Sequence, residues 1–282
     1  MWKDLDRVYF IGVGGIGMSA LARYFLSQGK HVAGYDRVST PLTEELAREG
    51  IEIHFEDDED LIPLPFRRPE ACLVVYTPAV PDRHRELNYF RTKGFRITKR
   101  AAALGEVFNS GRGIGVAGTH GKTSISTILT HIVSRSELGC NAFLGGIGKN
   151  SGSNFHLDPD SELMIAEADE FDRSFLALCP EIAVLSSMDA DHLDIYGDED
   201  SIRKGFEAYI AQIRKGGKLV IKTGLEAAVP PGIEVFSYGL SGEEADYRAL
   251  GLQPAGVGYR FQVEGPGLHI PDVLLPIPGL LQ

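Results

Sequence analysis

The chain has 282 residues, 43% hydrophobic and 24% charged, enough for two domains of ordinary size with a core in each. Its 39 acidic residues against 28 basic ones leave a net charge of −11, which argues against a nucleic-acid partner, because phosphate backbones select basic surfaces. The three cysteines, Cys72, Cys140 and Cys179, form no Cys-x-x-Cys pair, and the apolar run from Val8 to Ala22 is glycine-rich and flanked by Asp4, Asp6 and Arg23. Reduced thiols, no secretory leader, no membrane span and a cytoplasmic location are therefore expected.

Arg7 to Ile11 reads as a buried strand, Gly12-Val-Gly-Gly-Ile-Gly17 follows at once, and Met18 to Leu26 has the spacing of a helix packed on a sheet. A second strand, Lys30 to Tyr35, ends on Asp36. This is the dinucleotide fingerprint: Gly12 makes the tight turn, Gly14 lets a pyrophosphate approach the backbone, and Gly17 permits close helix packing, with Gly15 and Ile16 completing the loop. Asp36, 19 residues past the last glycine, is placed to accept from a ribose hydroxyl or a base. The glycines do not say which nucleotide is held.

A helix over Thr43 to Glu49 leads to a strand at Ile51 to Phe55 and an acidic loop, Glu56 to Asp60, that reads as solvated surface. Ala71 to Tyr76 is a buried strand, and Thr77-Pro78-Ala-Val-Pro81 at its carboxyl end is the kind of loop that lines the ligand crevice of an open α/β sheet. A helix over Glu86 to Gly94, a strand over Phe95 to Thr98 and a helix over Ala101 to Phe108 run into a linker, Asn109 to Gly113. A domain boundary is expected there, between residues 1–108 and 109–282.

The second unit opens with a strand, Gly113 to Ala117, then Gly118-Thr119-His120-Gly121-Lys122-Thr123, then a helix from Ser124 to Ser134. Strand, glycine turn and helix N-terminus in that order make a phosphate cradle, since small residues let several backbone N–H groups point at one anion and the helix's unpaired donors favour negative charge. Lys122 reaches the terminal phosphates of ATP as a point charge and the Thr123 hydroxyl serves Mg²⁺. Val116 stands where the usual P-loop has its first glycine, so the loop is a shortened variant starting at Gly118. Asn141 to Gly148 supplies a strand and a glycine turn, and Lys149 to Asn154 a polar loop. A strand from Glu162 to Ala166 runs into Glu167-Ala-Asp-Glu170, and another, Glu181 to Ser186, runs into an acidic loop holding His192. Carboxylates and a histidine at strand ends beside a Lys-Thr loop point to metal ligation. An amphipathic helix, Ser201 to Ile213, a strand, Lys218 to Lys222, and short β segments complete the chain. The expected class is α/β: an N-terminal Rossmann-like parallel-sheet domain, then a P-loop-type central ATPase domain with extra β segments at its C-terminal end.

The ordered set of the N-terminal glycine loop, YTPAVP, GTHGKT, EADEFDRSFL and MDADHLDIY resembles the Mur ligases, which build the peptide stem of bacterial cell-wall precursors. Within that family the resemblance points to members that join L-alanine to UDP-N-acetylmuramate, with the sibling that recycles whole peptides onto the same sugar nucleotide as the alternative. It implies an ATP-dependent amide bond made through an acyl phosphate, and a first domain that holds the UDP moiety with its pyrophosphate on Gly14 to Gly17 and its nucleoside near Asp36. It also implies two Mg²⁺ ions, one on Thr123 and Glu167 and one on His192, with Lys122 on the β and γ phosphates, a weaker contact from His120, and Ser124 closing the ATP loop. Relatives carry a third α/β domain after the central one, so the sequence as it stands is expected to bind UDP-N-acetylmuramate with little or no turnover. Phe171 and Arg173 stand where smaller or more polar residues are expected. Two rival readings are an NAD-dependent dehydrogenase fused to a P-loop unit and a non-catalytic nucleotide sensor. The absence of an evident hydride-transfer site weighs against the first, and the presence of Lys122, Glu167 and His192 against the second.

Overall fold

The computed structural model describes residues 2–148, 152–170, 173–189 and 199–277. The fold is α/β and divides into two compact units, Met1–Arg112 with Ser126–Ala166, and Gly113–Ile125 with Glu167–Gln282.

The first unit is built on five parallel strands, β1 (Arg7–Ile11), β2 (His31–Tyr35), β3 (Glu52–His54), β4 (Cys72–Tyr76) and β5 (Arg96–Lys99), in the order β3-β2-β1-β4-β5. Three helices connect them, α1 (Ile16–Ser27), α2 (Pro41–Arg48) and α3 (Arg85–Thr92), and a fourth, α4 (Arg100–Phe108), follows β5. Central β1 reads Val-Tyr-Phe-Ile without alternation because both of its faces are covered, and all four side chains are fully buried. Each such burial contributes on the order of 1.5–3 kcal/mol against the entropy of ordering the chain. Helix α2 starts where Thr40 caps the Thr43 N–H, with Pro41 preset for the first turn. Strand order reverses between β1 and β4, so the crevice of this sheet opens at their carboxyl ends, at Gly12 and Thr77.

Next come β6 (Arg112–Ala117) and α5 (Lys122–Val133), the latter entering the first unit at Ser126. There β7 (Asn141–Phe143) pairs antiparallel with β8 (Phe155–His156) and parallel with the start of β9 (Leu163–Ala168). Tyr24 of α1 packs on Phe143 and Phe155 at centroid distances of 5.6 and 6.3 Å. The second unit carries β10 (Ile182–Leu185), α6 (Glu199–Ile210), β11 (Lys218–Lys222), β12 (Glu234–Leu240), β13 (Tyr247–Ala255), β14 (Gly258–Gly265) and β15 (Leu268–Leu275). From one edge its sheet runs β15-β14-β13-β12-β11-β10-β6, parallel from β6 to β13 and antiparallel in the last two hairpins. Phe175, in the turn Ser174–Ala177, stacks on Tyr209 at 5.4 Å and meets Phe206 edge-on at 5.8 Å, which packs α6 against that turn.

Four local expectations give way to tertiary pairing. Helix α5 begins at Lys122, two residues before the expected Ser124, because the left-handed turn of the loop closes at Gly121, φ +82°. The linker ends at Gly111, since Arg112 already donates its N–H to the Glu162 carbonyl. In the acidic loop, Asp57 is structural rather than merely solvated: it accepts from the N–H groups of Arg85 and Glu86 at 2.9 and 3.1 Å and so caps α3. Asn154, expected in a polar loop, is fully buried.

Candidate functional site

In the second unit β6 delivers Gly118, at φ +137°, into the turn that precedes α5. Ser186 and Ser187, at the end of neighbouring β10, brace that turn. The Ser187 hydroxyl accepts from the His120 N–H at 2.8 Å and lies 2.9 Å from the Thr119 hydroxyl. Ser186 Oγ donates to the His120 carbonyl at 2.5 Å, and Thr119 Oγ1 accepts from the Asp189 N–H at 3.2 Å. The loop backbone is thus fixed by hydroxyls on an adjacent strand end, a form of pre-organisation for an anion at a helix N-terminus.

Lys122 Nζ donates to both oxygens of Glu170, at 2.9 and 2.8 Å, and to the Gly118 carbonyl at 2.7 Å. The pair is secluded, the lysine side chain 15% and the glutamate side chain 2% exposed. Thr123 Oγ1 donates to Glu167 Oε2 at 3.0 Å. The His120 imidazole is exposed, its Nε2 3.7 Å from Asp189 Oδ2. Glu170 is held by a turn in which the Arg173 N–H donates to the Glu170 carbonyl and the Phe175 N–H to the Asp169 carbonyl, at 3.0 and 3.1 Å. Arg173 adopts a left-handed conformation, φ 56° and ψ 21°, alone among the described non-glycine residues, so local strain sits beside the site. Thr123 and Glu167 offer adjacent hard oxygen donors, a set that suits Mg²⁺, which binds few protein oxygens and completes its sphere with water and phosphate. Among the described residues no group of three His, Cys, Asp or Glu side chains converges on a metal position. His192 and Phe171 lie outside the described residues.

In the first unit the Gly12 and Val13 N–H groups donate to the Tyr35 carbonyl at 2.8 and 3.1 Å, folding the glycine loop over the end of β2. Gly12 has φ +90°, and a Cβ there would meet Thr77 Cγ2 at 2.7 Å, so the loop and the start of Thr77-Pro78 touch. The Gly14 N–H donates to Asp36 Oδ2 at 2.7 Å. The Arg100 guanidinium, which no sequence motif flagged, lies over Gly17, where a Cβ would meet Nη1 at 2.8 Å; this sets a cation beside the loop. The first turn of α1 is also fixed from a distant segment. Asn154 Nδ2 donates to the Ile16 carbonyl at 2.6 Å and to Ser19 Oγ at 2.9 Å, while its Oδ1 accepts from Arg23 Nη1 at 2.5 Å, and Arg23 is itself held by Glu49.

Beneath this crevice lies a buried titratable cluster. Tyr9 Oη donates to Glu86 Oε2 at 2.7 Å and lies 2.8 Å from His54 Nε2, and Glu86 Oε1 is 3.3 Å from the same nitrogen. His54 Nδ1 is 3.0 Å from the Glu56 carbonyl, which can only accept, so neutral His54 carries its proton there and presents Nε2 as an acceptor. Burial pushes the Glu86 carboxyl up to about 8, and burial holds His54 and His84 below the ordinary imidazole range.

A family profile described as "Mur ligase family, catalytic domain" matches residues 7–112, and one described as "Mur ligase middle domain" matches residues 116–281. The chain belongs to the Mur ligase family. The UDP-N-acetylmuramate–L-alanine ligase of Parabacteroides distasonis is 50% identical over 278 residues, with 98% of this chain and 60% of the relative covered. Its counterpart in Phocaeicola vulgatus is 49% identical with the same coverage. The solved UDP-N-acetylmuramate–alanine ligase of Thermotoga maritima superposes with a TM-score of 0.80 at 25% identity, covering 97% of this chain and 61% of that one. The chain therefore spans about 60% of the length of the curated relatives it matches. No helix among the described residues is long and apolar enough to cross a membrane.

Proposed function

We propose that this chain carries the sugar-nucleotide and ATP sites of a ligase that joins L-alanine to the lactyl carboxylate of UDP-N-acetylmuramate in peptidoglycan precursor synthesis. The observation that carries the reading is the second-unit site: a braced glycine turn, Lys122 at its head, and Thr123 hydrogen-bonded to Glu167. The lactyl carboxylate attacks the γ-phosphorus of ATP, the bond to the bridging oxygen breaks, and ADP leaves an acyl phosphate. The amine of L-alanine then attacks the acyl carbon, and the tetrahedral adduct expels inorganic phosphate to leave the amide. Both reactants of the first step are anions, so the catalytic problem is electrostatic. Lys122 turns from Glu170 to the β and γ phosphates, while the loop N–H groups of Gly118 to Ser124 hold them in line. Thr123 and Glu167 would hold one Mg²⁺ and His192 a second; bound there, Mg²⁺ supplies positive charge that offsets the repulsion between phosphate and carboxylate. In the first unit the Gly12–Gly17 loop and Arg100 take the pyrophosphate, and Asp36, released from Gly14, takes a nucleoside hydroxyl.

Calorimetric titration with UDP-N-acetylmuramate, with NAD⁺ and UDP-N-acetylglucosamine as controls, tests the reading. Saturable binding of the muramate alone is expected. Binding of NAD⁺ with no response to the muramate would return the glycine loop to a dehydrogenase role. Binding of UDP-N-acetylmuramate together with turnover on a peptide, but not on L-alanine, would favour the recycling sibling.

A further inference from the structure

We infer that the first unit contains a second anion site, a cavity of about 260 Å³ between the later turns of α5 and the β7–β8 segment, that takes a small carboxylate or phosphate. Its walls are the hydroxyls of Thr127, Thr130 and Ser134, the basic side chains of His131, Arg135 and His156, and Leu144 and Gly148. Among the described residues no carboxylate lines it. In a chain of net charge −11, three basic groups meeting on one cavity without an acid among them is an unusual local balance.

The hydrogen-bond inventory sharpens this. Arg135 Nη1 donates to His131 Nδ1 at 2.8 Å and to the His131 carbonyl at 3.2 Å. Neutral His131, accepting at Nδ1, must then carry its proton on Nε2 and remains a donor. Arg135 has no carboxylate partner among the described residues, in contrast with Arg23, Arg85, Arg91 and Arg96, each of which is paired with an acid. Half-buried His156 and the Thr127 hydroxyl make no side-chain hydrogen bond within the described residues. Thr130 and Ser134 give their hydroxyl protons to the Ser126 and His131 carbonyls at 2.7 and 3.3 Å, so the donors left to the walls are His131 Nε2, the remaining Arg135 N–H groups and the Thr127 hydroxyl, a set that an oxyanion satisfies. A basic residue at a helix C-terminus also serves the helix dipole, and Arg135 does so through Nη1 alone. That role leaves Nε and Nη2 for a planar, two-point contact with a carboxylate or phosphate. A cavity of about 260 Å³ has room for a small oxyanion, with Leu144 as the one large apolar wall.

Amide NMR of the full chain, titrated separately with inorganic phosphate and with malonate, tests the inference and separates phosphate from carboxylate. The expected result is saturable shifts at the amides of residues 127–135, 144–148 and 156 with at least one of the two anions. That response should weaken at least 10-fold in Arg135→Gln and in His156→Gln, which keep the size and polarity of the wall. Phosphate responses at residues 118–123 report the ATP loop and are read separately, so the outcome stands whether or not the ligase reading does. No saturable response at the cavity amides with either anion up to tens of millimolar, or a response unchanged in both variants, would overturn the inference.

Discussion

Glu86→Gln isolates the buried proton in the core of the first unit. Glu86 accepts from Tyr9 at Oε2, and its buried Oε1, which makes no hydrogen bond among the described residues, stands 3.3 Å from His54 Nε2. A glutamine keeps the shape and, through its carbonyl, the contact with Tyr9, and removes the titrating proton. The carboxyl is raised from an ordinary value of 4.5 to about 8 in the fold, so the folded state holds a proton that the unfolded state has released. Its contribution is fully present below pH 4.5 and is lost as pH rises through about 8. At about 1.4 kcal/mol per unit, the wild-type chain should lose about 2 kcal/mol relative to Glu86→Gln between roughly pH 6.5 and 8.5. Lowered His54 and His84 act with the opposite sign, their contribution being lost as pH falls below about 6.5, outside that window and common to both proteins. Urea unfolding of both proteins at half-unit pH steps measures the difference. Stability curves that stay parallel across the window would refute the argument that Glu86 is protonated in the fold.

Replacing Lys122 by Ala should weaken ATP binding by about 10- to 100-fold, the scale of one charge-assisted hydrogen bond, and also lower the melting temperature because buried Glu170 loses its ion pair with Lys122. Glu170→Gln should act in the other direction on magnesium-free ADP, tightening it about 10-fold by freeing Lys122, a change readable by calorimetry and refuted by equal or weaker affinity. Asn154→Ala should cost about 2–4 kcal/mol in urea unfolding, since Arg23, Ser19 and the part-buried Ile16 carbonyl lose a partner at once; a loss under about 1 kcal/mol would mean that water replaces it. Gly12→Ala should destabilise by about 1–3 kcal/mol through its left-handed backbone and the Thr77 methyl, and Thr77→Ser should recover part of that loss in the double variant.

Much of the fold was legible because it is written in short-range pattern. Strands β1 and β11 occupy their expected spans, since an apolar run bounded by Gly, Asp or Lys carries its own limits. Thr123 and Glu167, 44 positions apart, were paired only through the family resemblance, and the folded chain sets the hydroxyl 3.0 Å from the carboxylate. What escaped was pairing that no local pattern encodes. Asn154 lies 131 residues from Arg23, and its own neighbourhood is Gly, Ser and Asn, so it reads as loop until the fold surrounds it. Glu170 was visible only as one of three acids within Glu167–Glu170, and its selection as the partner of Lys122 depends on the turn that Arg173 closes. Asp36 was assigned to a ligand on its position after β2, whereas the folded chain gives one of its oxygens to the Gly14 N–H. A single carboxylate can serve both partners in succession, and sequence has no way to order them.

The seclusion of Glu170 has a consequence for what can enter the loop. As folded, the lysine charge is already answered from within. Under the proposed function the loop would then work as an ion exchanger rather than as an open sink for negative charge. A bare phosphate that took Lys122 would break that ion pair and leave the buried Glu170 carboxylate to its remaining contacts, an uphill exchange. A polyphosphate arriving with its own divalent ion would restore neutrality on both sides, so the loop would select by the counter-ion a ligand carries as well as by its shape.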